Sequence, residues 1–167
     1  MYMKKVVLLT VLILLITSKK LNVKSMFNPI RGNDDFGSGS FGASRGNRPH
    51  LGIDYVTTKG EPIYAPFDME VTRVSLPYFD TSDYKGIAFS TQIAGVNYDG
   101  RWWYFVPNSD VIGHSVSKGQ LLGYAQSLQG RYEGITDHTH LQLRTTTELQ
   151  DSIYYNGWYY VNPEYVI

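Results

Sequence analysis

His138-Thr139-His140-Leu141-Gln142-Leu143-Arg144 alternates polar and apolar side chains with a period of two, the pattern of a half-buried strand. On a strand, residues i and i+2 share a face, so His138 and His140 project together while Leu141 and Leu143 face the other way. Two imidazoles therefore reach one site. Far upstream, His50-Leu51-Gly52-Ile53-Asp54 sets a third imidazole four residues before a carboxylate. Fully extended, four residues at roughly 3.3 Å each would part His50 and Asp54 by about 13 Å, too far for two ligands with metal bonds near 2 Å. The chain must bend between them. Gly52 stands at the midpoint, where a missing Cβ makes a kink or bulge cheap, and an irregularity is expected there.

The rest of the chain reads in the same way. Gly52–Thr57, Glu70–Ser75, Ile87–Ile93, Arg101–Val106 and Leu121–Gln126 are β-branched or aromatic runs bounded by Gly, Pro, Asn and Asp. Asp99-Gly100 separates two such runs and predicts a tight hairpin turn, since type I′ turns need φ > 0 at both central positions. No stretch shows a convincing helical period. Fourteen tyrosines, seven phenylalanines and sixteen glycines in 167 residues agree with strands joined by tight turns. An all-β domain with short or no helices is expected over residues 26–167.

Residues 1–25 are set apart. Met1–Lys5 is basic and Val6–Ile16 is almost unbroken apolar sequence, shorter than the roughly twenty residues a spanning helix needs. This reads as a signal peptide or a signal anchor, so the chain is expected outside the cytoplasm, touching a membrane only through that segment if it is not cleaved. Cysteine is absent, which excludes disulfides and a lipid-modified cysteine anchor. Five of the fifteen Lys and Arg residues precede residue 26 and no acid precedes Asp34, leaving ten basic against fifteen acidic residues. Without a basic stripe to neutralise phosphates, nucleic acid is excluded as a partner class. Between Asn28 and Pro49 the chain is rich in Gly, Ser, Asn and Arg, and reads either as a surface loop or as one wall of a groove ending on His50.

Two imidazoles and one carboxylate around a divalent metal would leave a fourth tetrahedral vertex open, with a further imidazole beside it. That is the arrangement of catalytic rather than structural zinc. The remaining histidine, His114, lies in the turn-like Gly113–Gly119 and reads as a solvent-facing bystander.

These blocks, in order, resemble the lysostaphin-type, LytM-like zinc endopeptidases of the beta-lytic metallopeptidase family. The matching stretches are Gly37–Ser40 with Phe41–Arg45, His50–Asp54, Gly119–Gly123 and His138–Leu141, supported by Pro62–Pro66 and Asn162-Pro163. The resemblance implies a small antiparallel sheet with a narrow groove, of the duplicated-hybrid-motif type. It implies one Zn2+ held by His50, Asp54 and His140, with His138 as a catalytic imidazole, and cleavage of peptide cross-links in peptidoglycan by a monomer. One departure stands out. Active members carry another histidine on the strand before the Gly-Gln turn, and here Trp102-Trp103-Tyr104-Phe105-Val106 holds none. Tyr104, Phe105 or Val106 takes that place, and of the three only Tyr104 has a hydroxyl to donate to a developing oxyanion. Some relatives that keep the ligands but lose this histidine are regarded as non-catalytic zinc-binding or signalling domains. A secreted module that binds glycan or protein through Trp102, Trp103, Tyr104, Tyr124, Tyr132 and the Tyr154–Tyr160 aromatics is therefore the alternative.

Overall fold

The structure, a computed structural model, describes residues 28–166. The signal segment over 1–25 lies outside the described residues. Eleven strands run in chain order: β1 (Ile53–Val56), β2 (Pro62–Tyr64), β3 (Met69–Ser75), β4 (Gly86–Ile93), β5 (Val96–Trp103), β6 (Phe105–Pro107), β7 (Ser115–Val116), β8 (Leu121–Ala125), β9 (His138–Thr145), β10 (Ile153–Tyr155) and β11 (Trp158–Val161). Among the described residues the only helical pieces are single 3-10 turns at Ser109–Val111 and Pro163–Tyr165. The domain is all-β, as expected, and every strand pairing is antiparallel.

The larger sheet has the order β10-β11-β9-β5-β4-β3-β7, and β1 also pairs with β9. β2, β8 and β6 form a second, three-stranded sheet. One face of each sheet meets in a shared core. Val71, Ile87, Phe89, Trp102, Leu141 and Leu143 come from the larger sheet; Ile63, Phe105, Leu122 and Ala125 come from the smaller. Leu141 and Leu143 are fully buried, each stabilising the fold by about 1.5 to 3 kcal/mol. This anchors β9 and turns His138 and His140 to the opposite face.

Two sequence expectations fail. Asp99-Gly100 is not a turn: both residues lie within β5, paired with Arg144 and Leu143 of β9 on one side and with Ser90 and Phe89 of β4 on the other. The β4–β5 hairpin turns instead at Ala94-Gly95, with φ of 50° and 82°, joining the pair Ile93 and Val96. Gly100 is needed for a different reason, because a Cβ there would lie 2.2 Å from Cζ of Phe89, whose ring covers the space. The expected strand Arg101–Val106 is also two strands in different sheets, broken at Tyr104. There φ is +72°, and the amides of Tyr104 and Phe105 both donate to the Lys85 carbonyl, at 2.7 and 3.1 Å. A tyrosine in this region of backbone space is strained, and the strain sits where the chain changes sheets.

Candidate metal centre

Register builds the site. Asp54 of β1 and His140 of β9 are direct antiparallel partners, so their side chains leave the same face of the sheet. His138 follows two residues away on that face, and its Nε2 lies 3.7 Å from Asp54 Oδ1. His50 arrives from before β1, where the chain bends at Gly52 as expected. The missing Cβ matters less for the bend than for clearance: it would lie 2.4 Å from the Leu141 carbonyl and 2.8 Å from the His140 ring.

Three donor atoms converge. His140 Nδ1 is 2.8 Å from Asp54 Oδ1, His50 Nε2 is 3.2 Å from that oxygen, and the two nitrogens are 3.0 Å apart. Ligands about 2 Å from a tetrahedral zinc would stand roughly 3.3 Å apart, so the spacing fits one shared ion. The donors agree as well, being two imidazoles and a carboxylate with no thiolate. His50 Nδ1 faces the Ser40 carbonyl at 2.9 Å. A carbonyl can only accept, so the proton sits on Nδ1 and the neutral ring presents a bare Nε2 to the site. His138 repeats the arrangement: Nδ1 donates to the Thr136 carbonyl at 2.7 Å, freeing Nε2. Burial pushes both His50 and His138 below the ordinary imidazole value, which keeps them neutral near pH 7. Burial alone would raise Asp54, but the hydrogen bond from His140 and the imidazoles crowded around Oδ1 outweigh it and hold the carboxyl well below the usual carboxylate range.

The sequence reading missed the other side of Asp54. Arg31, only 2% exposed, places Nε and Nη2 at 3.3 and 3.1 Å from Oδ2, and Arg45 Nη2 lies 3.4 Å from the same oxygen. Arg31 also pairs with Asp34 at 2.6 Å. These contacts leave Oδ1 facing the imidazoles. No short motif announces them, because both arginines come from the glycine-rich 28–49 segment, which the structure lays along β1. Gly39 is wedged there, and a Cβ on it would meet Arg31 Cβ at 2.7 Å and Asp54 Cβ at 2.9 Å. Glycine here admits Arg31 and Asp54 rather than a ligand. The segment is a groove wall nonetheless, with Arg31, Phe36, Arg45 and Arg48 lining the cavity.

That cavity, about 520 Å³, holds His50, Asp54, His138 and His140. Tyr104 lines it too, its ring edge-on to His138 with centroids 5.4 Å apart. Phe105 is fully buried in the core, and Val106 is 48% exposed away from the groove. Of the three candidates for the missing-histidine place, Tyr104 alone faces the site. Its hydroxyl lies 2.8 Å from that of Tyr78, and burial pushes it up to about 12, so the phenol keeps its proton. Part of the expected aromatic wall is in place, since Trp103, Tyr104, Tyr132 and Tyr155 line the cavity. Trp102 is core at 2% exposed, while Tyr124 and Tyr154 are exposed outside the groove. Trp103 stacks on His140 at 5.4 Å, and Tyr78 and Tyr132 line the cavity. His114 is exposed and outside the cluster, as expected.

No protein-family model matches the chain. Leukocyte cell-derived chemotaxin-2 of Mus musculus is 30% identical over 115 residues, which is 69% of this chain and 73% of that protein. The solved structure of LytU superposes with a TM-score of 0.51 at 21% identity, covering 75% of this chain and 77% of that one. The catalytic domain of lysostaphin, an antimicrobial peptidase from Staphylococcus simulans, matches with a TM-score of 0.48 at 17% identity, over 66% of this chain and 80% of that one. The likeness to LytU is one of fold, and it is the lysostaphin-type, LytM-like fold that the ordered motifs imply.

Proposed function

The chain belongs to the leukocyte cell-derived chemotaxin-2 family, and from the geometry of its site we propose that it is an exported zinc-dependent peptidase acting on peptides of the peptidoglycan type. The observation that carries this reading is the convergence of His50 Nε2, His140 Nδ1 and Asp54 Oδ1 within 3.2 Å of one another beside the free Nε2 of His138. His50, Asp54 and His140 would hold the ion. Zinc, when bound, polarises a carbonyl oxygen and lowers the pKa of a water towards about 7. His138, neutral and bare at Nε2, accepts the proton released by the attacking water and returns it to the leaving amine. Tyr104 keeps its proton and donates it as a hydrogen bond to the oxygen on which charge develops. The groove holds the peptide extended, with Trp103 and Tyr132 as apolar walls. The basic and apolar N-terminal sequence supports export. Among the described residues no helix is long and apolar enough to cross a membrane.

A second reading rests on one contact. The Tyr104 hydroxyl is already engaged by Tyr78, and where that proton points to Tyr78 no donor remains for an oxyanion. The protein would then be a zinc-bearing binding module for glycan or protein, in keeping with a relative named as a chemotaxin rather than as an enzyme. The test is release of peptide fragments from purified peptidoglycan sacculi by the zinc-loaded protein and by His138→Ala. A drop on the order of 100-fold or more in the variant supports hydrolysis. Equal release from both removes it, and a sacculus pull-down that survives chelation supports the module.

A further inference from the structure

The rim of the groove beside Asp54 is a turn, where Ser44 and Pro49 pair and the Arg45 amide donates to the Arg48 carbonyl at 2.9 Å. It concentrates positive charge. Of the ten basic residues after residue 25, three line this one groove, Arg31, Arg45 and Arg48, and Asp54 is the only carboxylate among the lining residues. Both Asp54 oxygens are occupied, Oδ1 by the imidazoles and Oδ2 by Arg31 and Arg45. Arg31 is further balanced by Asp34. Arg45 gives Nη2 to the Ser38 carbonyl at 2.6 Å as well as to Asp54. Burial, followed by the repulsion of Arg31 and Arg48, pulls its charged form down despite Asp54. Arg48 is exposed and makes no ion pair among the described residues; the one hydrogen bond of its side chain there is a long one, 3.4 Å, to the Pro49 carbonyl. A divalent ion at the cluster would add to this excess. The groove is one anion short.

We propose that Arg48, with Arg45 beside it, binds a carboxylate of the peptide seated in the groove, so that the protein selects peptides carrying a free carboxylate next to the metal centre. This deepens the peptide-site reading above and rests on it. The chemistry is that of a single carboxylate rather than a polyanion. Beyond residue 25 the chain has fifteen acidic against ten basic residues, and no row of cations continues from the rim. A guanidinium with a free edge suits a carboxylate, which it can engage through two parallel N–H donors. The carboxylate can be a chain terminus or an acidic side chain.

Three probes separate these, titrated into the zinc-loaded full chain and followed by NMR shifts: N-acetyl-triglycine with a free carboxylate, its C-terminal amide, and the amide of N-acetyl-Gly-Glu-Gly. The expected result is about 10-fold tighter binding of one acidic probe than of triglycine amide, the size of one charge-assisted hydrogen bond. The free-terminus probe winning assigns a chain end, and the glutamate probe winning assigns a side chain. In Arg48→Gln, an exposed change that leaves the zinc cluster intact, the preference should fall below about 2-fold, and in Arg48→Glu it should invert. Equal binding of acid and amide by the unaltered protein overturns the proposal. So does a preference that persists in Arg48→Gln, which would place the carboxylate on the metal instead. If the triglycine amide binds and only the preference is missing, the peptide groove stands and the arginine role alone falls. If no probe binds, both fall.

Discussion

The two walls of the groove are built on different principles. One wall is paired strand: Asp54 and His140 are register partners, His138 shares their face, and buried Leu141 and Leu143 hold β9 in place. The other wall is loop and turn: Arg45 and Arg48 come from the 28–49 segment, Tyr78 from the β3–β4 connection, and Tyr132 from the β8–β9 connection. A one-residue slip of β1 on β9 would send Asp54 to the opposite face, so the first wall has a single solution. The loop wall is held by side-chain contacts that can be exchanged singly, among them the Tyr78–Tyr104 hydroxyl pair and Arg131, which stacks 3.9 Å over Tyr78 while pairing with Asp80. The strand wall carries the candidate donors Asp54 and His140 with His138 beside them, and under the proposed function the loop wall would meet the ligand. A fold can therefore keep the first while relatives vary the second.

The contrast breaks most severely at Asp54. Asp54→Ala removes one candidate metal donor and leaves the buried Arg31 guanidinium with Asp34 as its one acidic partner among the described residues. Zinc content should fall from about one equivalent to near zero by elemental analysis, and stability should drop by roughly 3 to 5 kcal/mol in denaturant unfolding. The next effect lies on the boundary between the walls. Tyr104→Phe should lower turnover on sacculi about 100-fold with zinc content unchanged, and Tyr104→His should raise it above the parent protein. Unchanged turnover in Tyr104→Phe would assign Tyr104 to structure and favour the binding module.

A smaller effect tests how tightly the strand wall is packed. Gly100→Ala puts a methyl against the Phe89 ring on β4, next to the strand that supports β9. A loss of about 1 to 3 kcal/mol is expected in the same unfolding measurement. The mildest test uses acid on the chelated protein. His50 and His138 bind protons less readily when folded than when unfolded. As pH falls below the ordinary imidazole value near 6.5, the unfolded chain gains protons that the folded one resists, so stability declines. Asp54, held well below the usual carboxylate range, extends the decline through the carboxylate range below about pH 4. A melting temperature that stays flat from pH 7 to 5 would show that the imidazoles are not buried neutral in the apo site.

Strand positions and the strand-borne half of the site were legible because they follow local rules. Alternation at His138–Arg144 gave the facing of His138, His140, Leu141 and Leu143 in β9, and the His50-Asp54 spacing forced a bend that Gly52 permits. Turns were read less well, and two Xaa-Gly pairs show why. Asp99-Gly100 carries a hairpin signature but lies in mid-strand, because Phe89 needs the space above Gly100. Asn156-Gly157 does make the turn, with φ of 48° and 85°, between β10 and β11, where Tyr154 and Tyr159 pair across strands with ring centroids 5.0 Å apart. That hairpin was missed because its aromatic residues were read as a cluster and not as two strands. Locally the two pairs look alike, and only contact with a neighbouring strand tells them apart.

From its residues alone, the chain established an all-β domain, the candidate donors His50, Asp54 and His140 with His138 beside them, and the absence of a histidine on the strand before the Gly-Gln turn. The strands and the shared face of His138 and His140 follow from residue type and short-range spacing, which the backbone period converts directly into direction, whereas the choice of His140 over His138 as donor and the missing histidine are what the family resemblance implies. Tertiary structure decided that Tyr104 and not Phe105 or Val106 faces His138, that Arg31 and Arg45 brace Asp54 from behind, and that Arg48 makes no ion pair among the described residues at the rim. Those outcomes depend on where a loop crosses a strand far away in the chain and on how charges cancel once assembled. Neither leaves a periodic trace along the sequence.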